Sequence, residues 1–294
     1  MHHLIETDPF RFDGTKRLKL KKQPHQVKDF YENKKDYKEL LSEFHEELDE
    51  LQSMMYAHNR YALLLVFQAM DAAGKDGTIQ HVLSGVNPHG VFVRSFKKPS
   101  TLEIDHDFLW RTHFRIPSRG TIGIFNRSHY EEVLVTKVHP EILLESQRIP
   151  RSHTQNLDKV WKDRYEDIRN HERYLYNNGV HIVKFFLNLS RDEQRDRFLA
   201  RIDTPAKNWK FSEADVKERA YWDDYQAAYE QAINETATPH APWYVVPADD
   251  KKNMRLIVSQ VILNHLNAMD IHYPKVSKER KKQFAQYREM LLKD

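Results

Sequence analysis

The segment "FQAMDAAGKDGT" brings small residues, one lysine and two aspartates together, a set suited to binding phosphate. Measured against the phosphate-loop pattern G-x-x-x-x-G-K-[ST], Gly74 and Lys75 match. Ala69 stands at the first glycine position, and Asp76 stands where Ser or Thr is usual. Small residues let backbone amides approach phosphate oxygens, and a lysine neutralises their charge. The pattern therefore predicts a phosphate site, with an ordinary strand-to-helix turn as the alternative.

The two aspartates of this segment point to a divalent cation. Carboxylates are unfavourable beside phosphate unless a metal ion lies between them, so Asp71 and Asp76 are predicted to hold or orient Mg²⁺. Thr78 is a candidate hydroxyl ligand. An alternative is that Asp76 only caps a helix, because a carboxylate is stabilised near the positive end of the helix dipole.

A second cationic position follows the apolar run "TIGIF", where Asn126 and Arg127 are adjacent. Arg127 is predicted to lie at the carboxyl edge of a sheet, where open α/β sheets bind their substrates. The alternative is a surface arginine at a helix start. Asn126 stands where a metal-binding aspartate is usual, which shifts the predicted metal role to the aspartates of the phosphate loop. Glu131, four residues beyond Arg127, can also be read as its helical ion-pair partner.

The stretch "RDEQRDRFLARIDTPAKNWK" predicts a helical lid, because Arg197 and Arg201 are four residues apart on one helix face. Such arginines can neutralise a transferring phosphoryl group and exclude water. A solvent-facing stripe paired with neighbouring carboxylates is the alternative. Further candidate phosphate or nucleotide contacts, ranked lower because cations at strand ends are common, are Arg94, Lys97, Arg111 and Arg119.

Five short apolar runs are predicted to form the strands that position these groups. They are "YALLLVF" (61–67), "VFVRSF" (91–96), "TIGIFN" (121–126), "HIVKFFLNL" (181–189) and "WYVV" (243–246). Helices are expected between them, with starts near Asp76, Leu102, Ser128, Asp192 and Ser212. Apolar spacing over Phe30 to Met55 predicts one long amphipathic helix before the first strand. Alternating strands and helices favour a parallel sheet between two helical layers.

Composition restricts the class of protein. The chain has 294 residues, 40% hydrophobic and 30% charged, with no cysteine and a formal charge of +3. Disulfides and thiolate metal sites are therefore excluded, and no apolar run is long enough to cross a bilayer. A soluble cytoplasmic protein is expected, without a signal peptide or a nucleic-acid-binding motif. The basic segments near both ends are expected to be solvated, or alternatively to contact a polyanion.

Several motifs in one order resemble the polyphosphate kinase 2 family. They are "QAMDAAGKDGTIQHVLSGVNPHGVFVRSFKKPS", "HDFLWR", "IGIFNRSHYEEVLVTKVHP" and "NWKFSEADVKERAYWDDYQAAYE". The resemblance covers about residues 61–266 and implies a three-layer α/β/α P-loop kinase fold, similar to thymidylate kinase, with a five-stranded parallel sheet. One domain over 1–294 is expected, with an arm and long helix at 1–60, a catalytic core at 61–266, a lid at about 191–215 and a basic helix at 267–294.

The resemblance also implies an activity and its partners: phosphoryl transfer between inorganic polyphosphate and AMP or ADP, with Mg²⁺ or alternatively Mn²⁺. Guanine nucleotides are further candidate acceptors, and the family forms homodimers or homotetramers. No nucleic acid or membrane partner is expected. The competing hypotheses are an ATP-dependent nucleoside monophosphate kinase and a non-catalytic polyanion-binding protein.

Site roles follow from that reading. The residues expected to act in catalysis are Asp71, Lys75, Asp76, Arg127, Arg197 and Arg201. The residues expected to bind polyphosphate are Ala72, Ala73, Gly74, Lys75, Gly77, Thr78 and Lys210. The residues expected to bind nucleotide are Arg94, Lys97, Arg111, Arg119, Asn126 and Glu131. An anionic phosphate acceptor needs no strong general base, so His81, His106 and His129 are interpreted as packing or hydrogen-bonding residues.

Overall fold

The computed structural model describes residues 5–293. Its strands are β1 (Arg11–Phe12), β2 (Ala62–Ala69), β3 (Val91–Ser95), β4 (Ile122–Asn126), β5 (Val180–Asn188) and β6 (Trp243–Pro247). Its α-helices are α1 (Lys34–His58), α2 (Lys75–Val82), α3 (Thr101–Ile104), α4 (Trp110–His113), α5 (Glu131–Val138), α6 (Arg151–Thr154), α7 (Leu157–Asn177), α8 (Arg191–Asp203), α9 (Glu213–Glu218), α10 (Trp222–Thr236), α11 (Lys251–Ala268) and α12 (Lys278–Leu291). Shorter turns of 3₁₀ helix lie at Asp8–Phe10, Leu20–Lys22, Pro88–Gly90, Pro205–Lys210 and Arg219–Tyr221, and a π-helical turn lies at Ile142–Ser146.

The described strands form one mostly parallel sheet in the order β1-β6-β5-β2-β4-β3. All five predicted strands are present and parallel, within two residues of the expected bounds. The prediction of five strands was incomplete, because β1 adds a sixth, antiparallel strand at the β6 edge, with Arg11 opposite Tyr244. A strand of two residues is too short to show an alternating pattern, so the sequence carries no signal for it.

Two apolar cores, one on each face of the sheet, give the molecule three layers. Along β2 the side chains alternate: Leu63 and Leu65 belong to one core, and Leu64 and Val66 belong to the other. The first core also contains residues of α1, α2 and α11, and the second contains residues of α5, α7 and α10. Because both faces are covered, the central strands are buried throughout and read as continuous apolar runs.

Helix α1 confirms the long amphipathic helix expected before the first strand. It begins later than predicted, because the Asn33 side chain caps it by accepting hydrogen bonds from the backbone N–H groups of Lys35 and Asp36. It ends at Asn59, which has a left-handed φ of 50°. Its apolar face reaches the sheet through Met55, which is fully buried.

The two basic terminal segments differ in burial: α12 (Lys278–Leu291) is exposed along its whole length, as a solvated segment is expected to be, whereas the N-terminal arm is partly buried. The N-terminal arm buries Leu18 and Leu20 against α10, where their N–H groups donate to Asn234 and Glu230. The C-terminal segment, predicted as one helix over 267–294, is divided: α11 extends to Ala268, and α12 begins only after Ser277. Pro274 interrupts the stretch between them, since proline removes a backbone donor and restricts the residue before it.

Three long helices on the sheet faces were only partly foreseen. Helices α7 and α11 had no sequence prediction, and α10 was anticipated only as a helix following the lid. Helix α11 is the most apolar of the three, with Leu256, Ile257 and Val261 fully buried. Even so, no helix within residues 5–293 has the length and hydropathy required to cross a membrane.

Candidate active site

A cavity of about 670 Å³ opens at the carboxyl ends of β2, β4 and β3. Its floor is the loop that joins β2 to α2, and its walls come from the ends of β3 and β4, from α8 and the turn after it, and from the start of α11. The lining includes Asp71, Ala72, Ala73, Gly74, Lys75, Asp76, Gly77, Lys97, Asn126, Arg127, Arg197, Arg201 and Lys210. The fold thus brings most of the predicted site residues to one place.

The loop after β2 has the backbone of an anion-binding turn. Gly74 precedes α2 with φ of 99° and makes no side-chain cap, so the N-terminus of α2 faces the cavity with its amides available. The first intrahelical bond is donated by the Thr78 N–H to the Gly74 carbonyl. The backbone N–H groups of residues 75–77 therefore have no acceptor within the helix, and together with the helix dipole they favour an anion.

Lys75 lies at the floor of this cavity. Its Nζ donates a hydrogen bond of 3.0 Å to the Ala69 carbonyl, and only 9% of the residue is exposed. Burial lowers the pKa of Lys75, and the nearby charge of Arg127 lowers it further, while Asp71 acts in the opposite direction. A lysine held in this way gains most from an added anion, because the anion would restore the balance of charge around the ammonium group.

Arg127 and Asp71 form an ion pair of 2.8 Å across the top of the loop. Arg127 has a left-handed φ of 62°, and its N–H donates to the Phe67 carbonyl, so the residue continues from the end of β4 directly into the cavity. Asn126 donates to the Asp76 carboxylate. The alternative that Asp76 only caps a helix is not supported, because Gly74 is the N-cap of α2, no side chain makes a cap hydrogen bond, and Asp76 contacts Asn126 instead.

Thr78, on the first turn of α2, is a predicted phosphate-binding residue that does not line the cavity. Its side chain is fully buried, and its hydroxyl donates to the Gly74 carbonyl at 3.0 Å and contacts Met254. The structure therefore separates Thr78 from the predicted metal and phosphate ligands. The physical reason is its position, since the fourth residue of a helix can satisfy its hydroxyl on the preceding turn.

The aspartates of the loop fit a magnesium ion that is held jointly with substrate. Within residues 5–293 no group of three or more His, Asp or Glu side chains could enclose a metal. Mg²⁺ does not need such a cage, because it commonly keeps its waters and binds through one or two carboxylates plus substrate phosphates. Asp71 and Asp76 line the same cation-rich cavity, so this donor set fits an ion that is shared with substrate phosphates.

The cavity carries a large excess of positive charge. Among its described lining residues, ten are Lys or Arg and two are Asp. The ten cations are Lys75, Lys97, Lys98, Arg127, Arg197, Arg201, Lys207, Lys210, Lys251 and Arg255. Burial lowers the pKa of Lys251, and the charges of Arg197, Lys207 and Arg255 lower it further. Cations crowded in this way repel one another, so the cavity is complementary to a polyanion.

The two arginines of the predicted lid have different environments. Arg197 is buried and hydrogen-bonded throughout, whereas Arg201, one turn later, is more exposed and donates to Asp215 and to the Lys210 carbonyl at 3.3 Å. The side chain of Lys210 is exposed at the cavity mouth, on the 3₁₀ turn after α8. The alternative reading, a solvent-facing stripe paired with neighbouring carboxylates, holds only for the pairing: the Arg197 Nε donates to Glu193 at 2.7 Å, but the side chain is buried.

The predicted nucleotide contacts are divided by the structure. Lys97 lines the phosphate cavity, and buried Arg111 supports it by donating to the Lys97 carbonyl at 2.7 Å. Arg94 is exposed on β3 and lies 5.6 Å from the Phe92 ring, outside the cavity lining. Arg119 precedes β4, at the amino ends of the strands and so on the side of the sheet opposite the cavity, where it donates to the Asn178 carbonyl. Arg119 is therefore too distant in the fold to share this site.

Glu131 lies in a second cavity of about 410 Å³ that shares Asp71 and Arg127 with the first. It forms the ion pair with Arg127 that the sequence allowed as an alternative role, at 3.6 Å. Burial raises the pKa of Glu131, and the charges of Arg127 and Lys75 oppose that rise. Other residues lining this cavity are Met70, Gln194, Asp215, Arg219, Tyr225 and Tyr229.

Sequence reasoning missed four cations of the phosphate cavity: Lys98, Lys207, Lys251 and Arg255. The last two begin α11, whose start was recognisable, because the Asp250 side chain accepts from two backbone N–H groups of the first turn. In the sequence "PADDKKNMRLIV" this cap precedes an apolar run, which is a helix-start signal. That Lys251 and Arg255 lie beside the loop after β2 is a result of tertiary packing, because the two segments are far apart in sequence.

Comparison with known proteins agrees with this geometry. The family model described as polyphosphate kinase 2 matches residues 31–274. An ADP-polyphosphate phosphotransferase of Rhodopseudomonas palustris is 56% identical over 98% of this chain and 99% of its own length. An AMP/ADP-polyphosphate phosphotransferase of Meiothermus ruber is 42% identical over 90% of this chain and 94% of its own length.

A similar solved structure is that of polyphosphate kinase 2 from Arthrobacter aurescens TC1. It superposes with a TM-score of 0.85 at 37% sequence identity, covering 96% of both chains. The match thus extends over nearly the whole chain. The chain therefore belongs to the polyphosphate kinase 2 family.

Proposed function

We propose that this protein transfers the terminal phosphoryl group of inorganic polyphosphate to ADP and AMP, reversibly, using a P-loop kinase fold of the thymidylate kinase type. The observation that carries the proposal is the cation excess of the cavity, ten Lys and Arg side chains against two Asp among the described lining residues. A single nucleotide phosphate group does not require so many cations, whereas a chain with a negative charge on each phosphate does. The relatives named as polyphosphate phosphotransferases support the same assignment.

Polyphosphate is proposed to enter between the turn after α8 and the start of α11, where Lys207, Lys210, Lys251 and Arg255 line the cavity. Its terminal phosphate would then rest on the amides of the loop after β2, with Lys75 beneath it. These contacts neutralise charge along the chain and fix its end, and they require no change in protonation of the substrate.

The acceptor nucleotide is proposed to place its phosphate beside Arg127, at the wall that the two cavities share. Arg127 reaches this wall from the end of β4 and is held there by Asp71 and Glu131. Lys97 and Asn126 lie on the phosphate side of that wall, and Tyr225 and Tyr229 lie on the other side. An acceptor spanning the wall would align its terminal oxygen with the bound end of polyphosphate.

The reaction that these residues support is an in-line exchange of one phosphoanhydride for another. The acceptor oxygen is already anionic near neutral pH, so no residue must remove a proton from it. Lys75, Arg127 and the loop amides stabilise the charge that develops on the transferring group, and α8 with the following turn keeps water away. Because similar bonds are broken and formed, the transfer is expected to run in both directions.

Asp71 and Asp76 are proposed to hold Mg²⁺ together with the phosphates, and Mn²⁺ is a candidate replacement. When bound, the ion would supply positive charge that offsets the charge of the phosphates. The protein's part is to orient the two carboxylates, which it does through Arg127 on Asp71 and Asn126 on Asp76.

The test is ATP formation from polyphosphate of defined length and ADP, with Mg²⁺ and without any ATP at the start. Initial rates with AMP, GMP and GDP at saturating polyphosphate then give the acceptor preference. AMP with ATP but without polyphosphate is the control for a nucleoside monophosphate kinase. Absence of polyphosphate-dependent ATP formation would refute the proposal, and turnover only in the control would favour the ATP-dependent kinase.

Self-association is also proposed, as a homodimer or homotetramer. Helix α12 buries no residue, and Phe284, Tyr287 and Met290 along it are 47%, 54% and 62% exposed. Light scattering during size-exclusion chromatography measures the assembly. A monomeric mass at working concentration would contradict the proposal.

A further inference from the structure

Arg197 makes contacts that differ in kind from those expected of a phosphate-binding arginine. It lies on α8 between the loop after β2 and the loop after β6, and 8% of its side chain is exposed. Nε donates to Glu193 at 2.7 Å. Nη1 donates to the carbonyls of Ala72 and Ala73 at 3.1 and 2.8 Å. Nη2 donates to the carbonyls of Ala248 and Asp249, at 2.7 and 3.0 Å.

A guanidinium group has five N–H bonds, and here five acceptors of the protein receive them. No hydrogen of Arg197 is left to donate to a phosphate oxygen unless one of these bonds breaks. Arg201 offers a contrast on the same helix, because its hydrogen bonds to described residues all come from Nη1 and 21% of its side chain is exposed. Of the two, Arg201 is the one with donors to spare for a phosphate.

The two loop carbonyls that Arg197 binds belong to a strained segment. Ala72 has a left-handed φ of 62°, a conformation that costs a residue other than glycine about 1 kcal/mol or more. Because a trans peptide points its N–H opposite its carbonyl, the bond to the Ala73 carbonyl turns the Gly74 N–H away from Arg197. The contacts of Arg197 thus determine which way an amide of the phosphate loop points.

Gln194, three residues earlier on α8, acts on the same loop. It is buried, and its Nε2 donates to the Asp71 carbonyl at 2.9 Å. Three successive carbonyls, those of Asp71, Ala72 and Ala73, therefore accept hydrogen bonds from two side chains of one helix. Helix α8 supports the phosphate loop from behind as well as contributing to the cavity wall.

We infer that Arg197 is a positioning residue: it holds the loop over residues 71–74 in the conformation that presents its amides to phosphate, and it does not contact the transferring group. The inference rests on the proposed function for its kinetic part. Its structural part concerns the free protein and can be measured without turnover.

The experiment compares Arg197→Met, Arg197→Lys and the matched control Arg201→Met, all as full-length protein. Backbone hydrogen exchange of residues 70–75 is measured without ligand, and kcat and KM for polyphosphate are measured with ADP. For Arg197→Met we expect loop exchange at least about 10-fold faster and kcat/KM about 100-fold lower, because a small misplacement of a reacting group costs that much. Arg197→Lys restores part of both, since lysine has three donors.

Arg201→Met should show the opposite pattern, with slower turnover and loop exchange at the wild-type rate. Turnover lost in Arg197→Met with unchanged loop exchange would overturn the inference, because it is the result of a direct phosphate contact. Wild-type turnover and exchange in that variant would overturn it too. If wild-type protein shows no phosphoryl transfer, the proposed function fails while the exchange comparison still decides the role of Arg197.

A second variant covers the case in which Arg197→Met does not fold. Gln194→Met removes one loop bond, that to Asp71, and should raise loop exchange by a smaller factor. Its control is Arg219→Met, which leaves the bond from Gln194 to Asp71 in place. It removes the hydrogen bonds that Arg219 donates to the side-chain oxygen of Gln194 at 2.8 Å and to the Arg191 carbonyl at 3.0 Å. Equal exchange in Gln194→Met and Arg219→Met would contradict the inference.

Discussion

Two residues of the cavity wall, Ala72 and Arg127, have a φ of 62° although neither is glycine. Such backbone is retained when neighbouring contacts hold it. Arg197 holds Ala72, and the bond from the Arg127 N–H to the Phe67 carbonyl holds Arg127 at the end of its strand. At Gly74 the φ of 99° itself requires glycine, since the nearest atoms to an added Cβ lie 3.7 Å away.

Lys75→Ala tests the floor of the cavity. The variant should keep its fold, because Lys75 makes one hydrogen bond to the protein. Burial also lowers the pKa of Lys75, which means that the charged ammonium group is unfavourable where it lies. Polyphosphate-dependent ATP formation should fall by about 10²–10³-fold, the usual cost of removing one group that stabilises developing charge. Initial rates and a thermal melt measure the two effects. The control is Lys28→Ala, an exposed cation outside the cavity lining, and equal loss in both variants would contradict the role given to Lys75.

At the scale of elements, a buried ion pair links β5 to the helix α7 that packs on it. Lys184 is fully buried, and its Nζ donates to Glu172 of α7 at 2.5 Å, to the Tyr130 hydroxyl at 3.0 Å and to the Thr236 carbonyl at 2.9 Å. Tyr130 lies three residues after Arg127, so this network also fixes the segment that leads from the active site into α5. A lysine within an apolar strand run is visible in the sequence, but its partners are not.

Lys184→Met should lower the free energy of unfolding by about 3–5 kcal/mol, because it leaves buried Glu172 without its cation. Replacing both partners, as Lys184→Met with Glu172→Leu, should recover much of that loss, since no buried charge then remains. Urea unfolding followed by circular dichroism measures both. If the double variant is no more stable than Lys184→Met, the ion pair is not the cause of the loss.

At the scale of the whole molecule, the net charge of +3 hides a strongly uneven distribution. Cations concentrate around one cavity, while carboxylates lie elsewhere on the surface and in the adjoining cavity. Long-range attraction of this kind weakens as salt shortens the Debye length from about 10 Å at 0.1 M to about 3 Å at 1 M.

Raising salt should therefore increase KM for polyphosphate, and more steeply for long chains than for tripolyphosphate. The acceptor ADP carries less charge, so its KM should change less. Initial-rate series from 0.05 to 0.5 M salt, with Mg²⁺ held constant, give both slopes. Equal slopes for long polyphosphate and ADP would argue against the cation-lined entry path.

Burial lowers the pKa of several histidines, including His171, His181 and His265. Because these side chains resist protonation only in the folded protein, its stability depends on pH. Burial lowers the pKa of His171 to about 4, with a further contribution from His113 and an opposing one from Asp107. The unfolded chain binds this proton at about pH 6.5, so the stability that neutral His171 contributes is complete above that pH. It is lost as the pH falls from about 6.5 to 4, because only the unfolded state gains the proton there.

The His171→Gln variant isolates this effect from the carboxylates that titrate in the same range. The difference between the free energies of unfolding of the variant and the wild type should be constant above pH 6.5. As the pH falls from 6.5 to 4, the variant should become steadily more stable relative to the wild type. Urea unfolding at half-unit pH intervals measures the difference. A difference that stays flat across that range would show that His171 titrates normally in the folded protein.

The sequence by itself determined the central features of this protein. Continuous apolar runs specified parallel strands buried on both faces, and "DAAGKD" specified an anion-binding turn, because strand burial and turn geometry depend on local residue types. The family could be identified from the order of its motifs, and the clustering of Lys75, Arg127 and both aspartates followed from placing strand ends at one sheet edge.

Only the tertiary structure decided the rest. It turned Thr78 inward, placed Arg119 at the amino ends of the strands and brought Lys251 and Arg255 into the cavity. It also showed that all donors of Arg197 are used by the protein. The physical reason is that hydrogen-bond partners and side-chain directions depend on contacts between segments distant in sequence, such as Arg197 with Ala72 and Ala248. Residue spacing places a side chain on a helix face, but the packing of that face determines what the side chain binds.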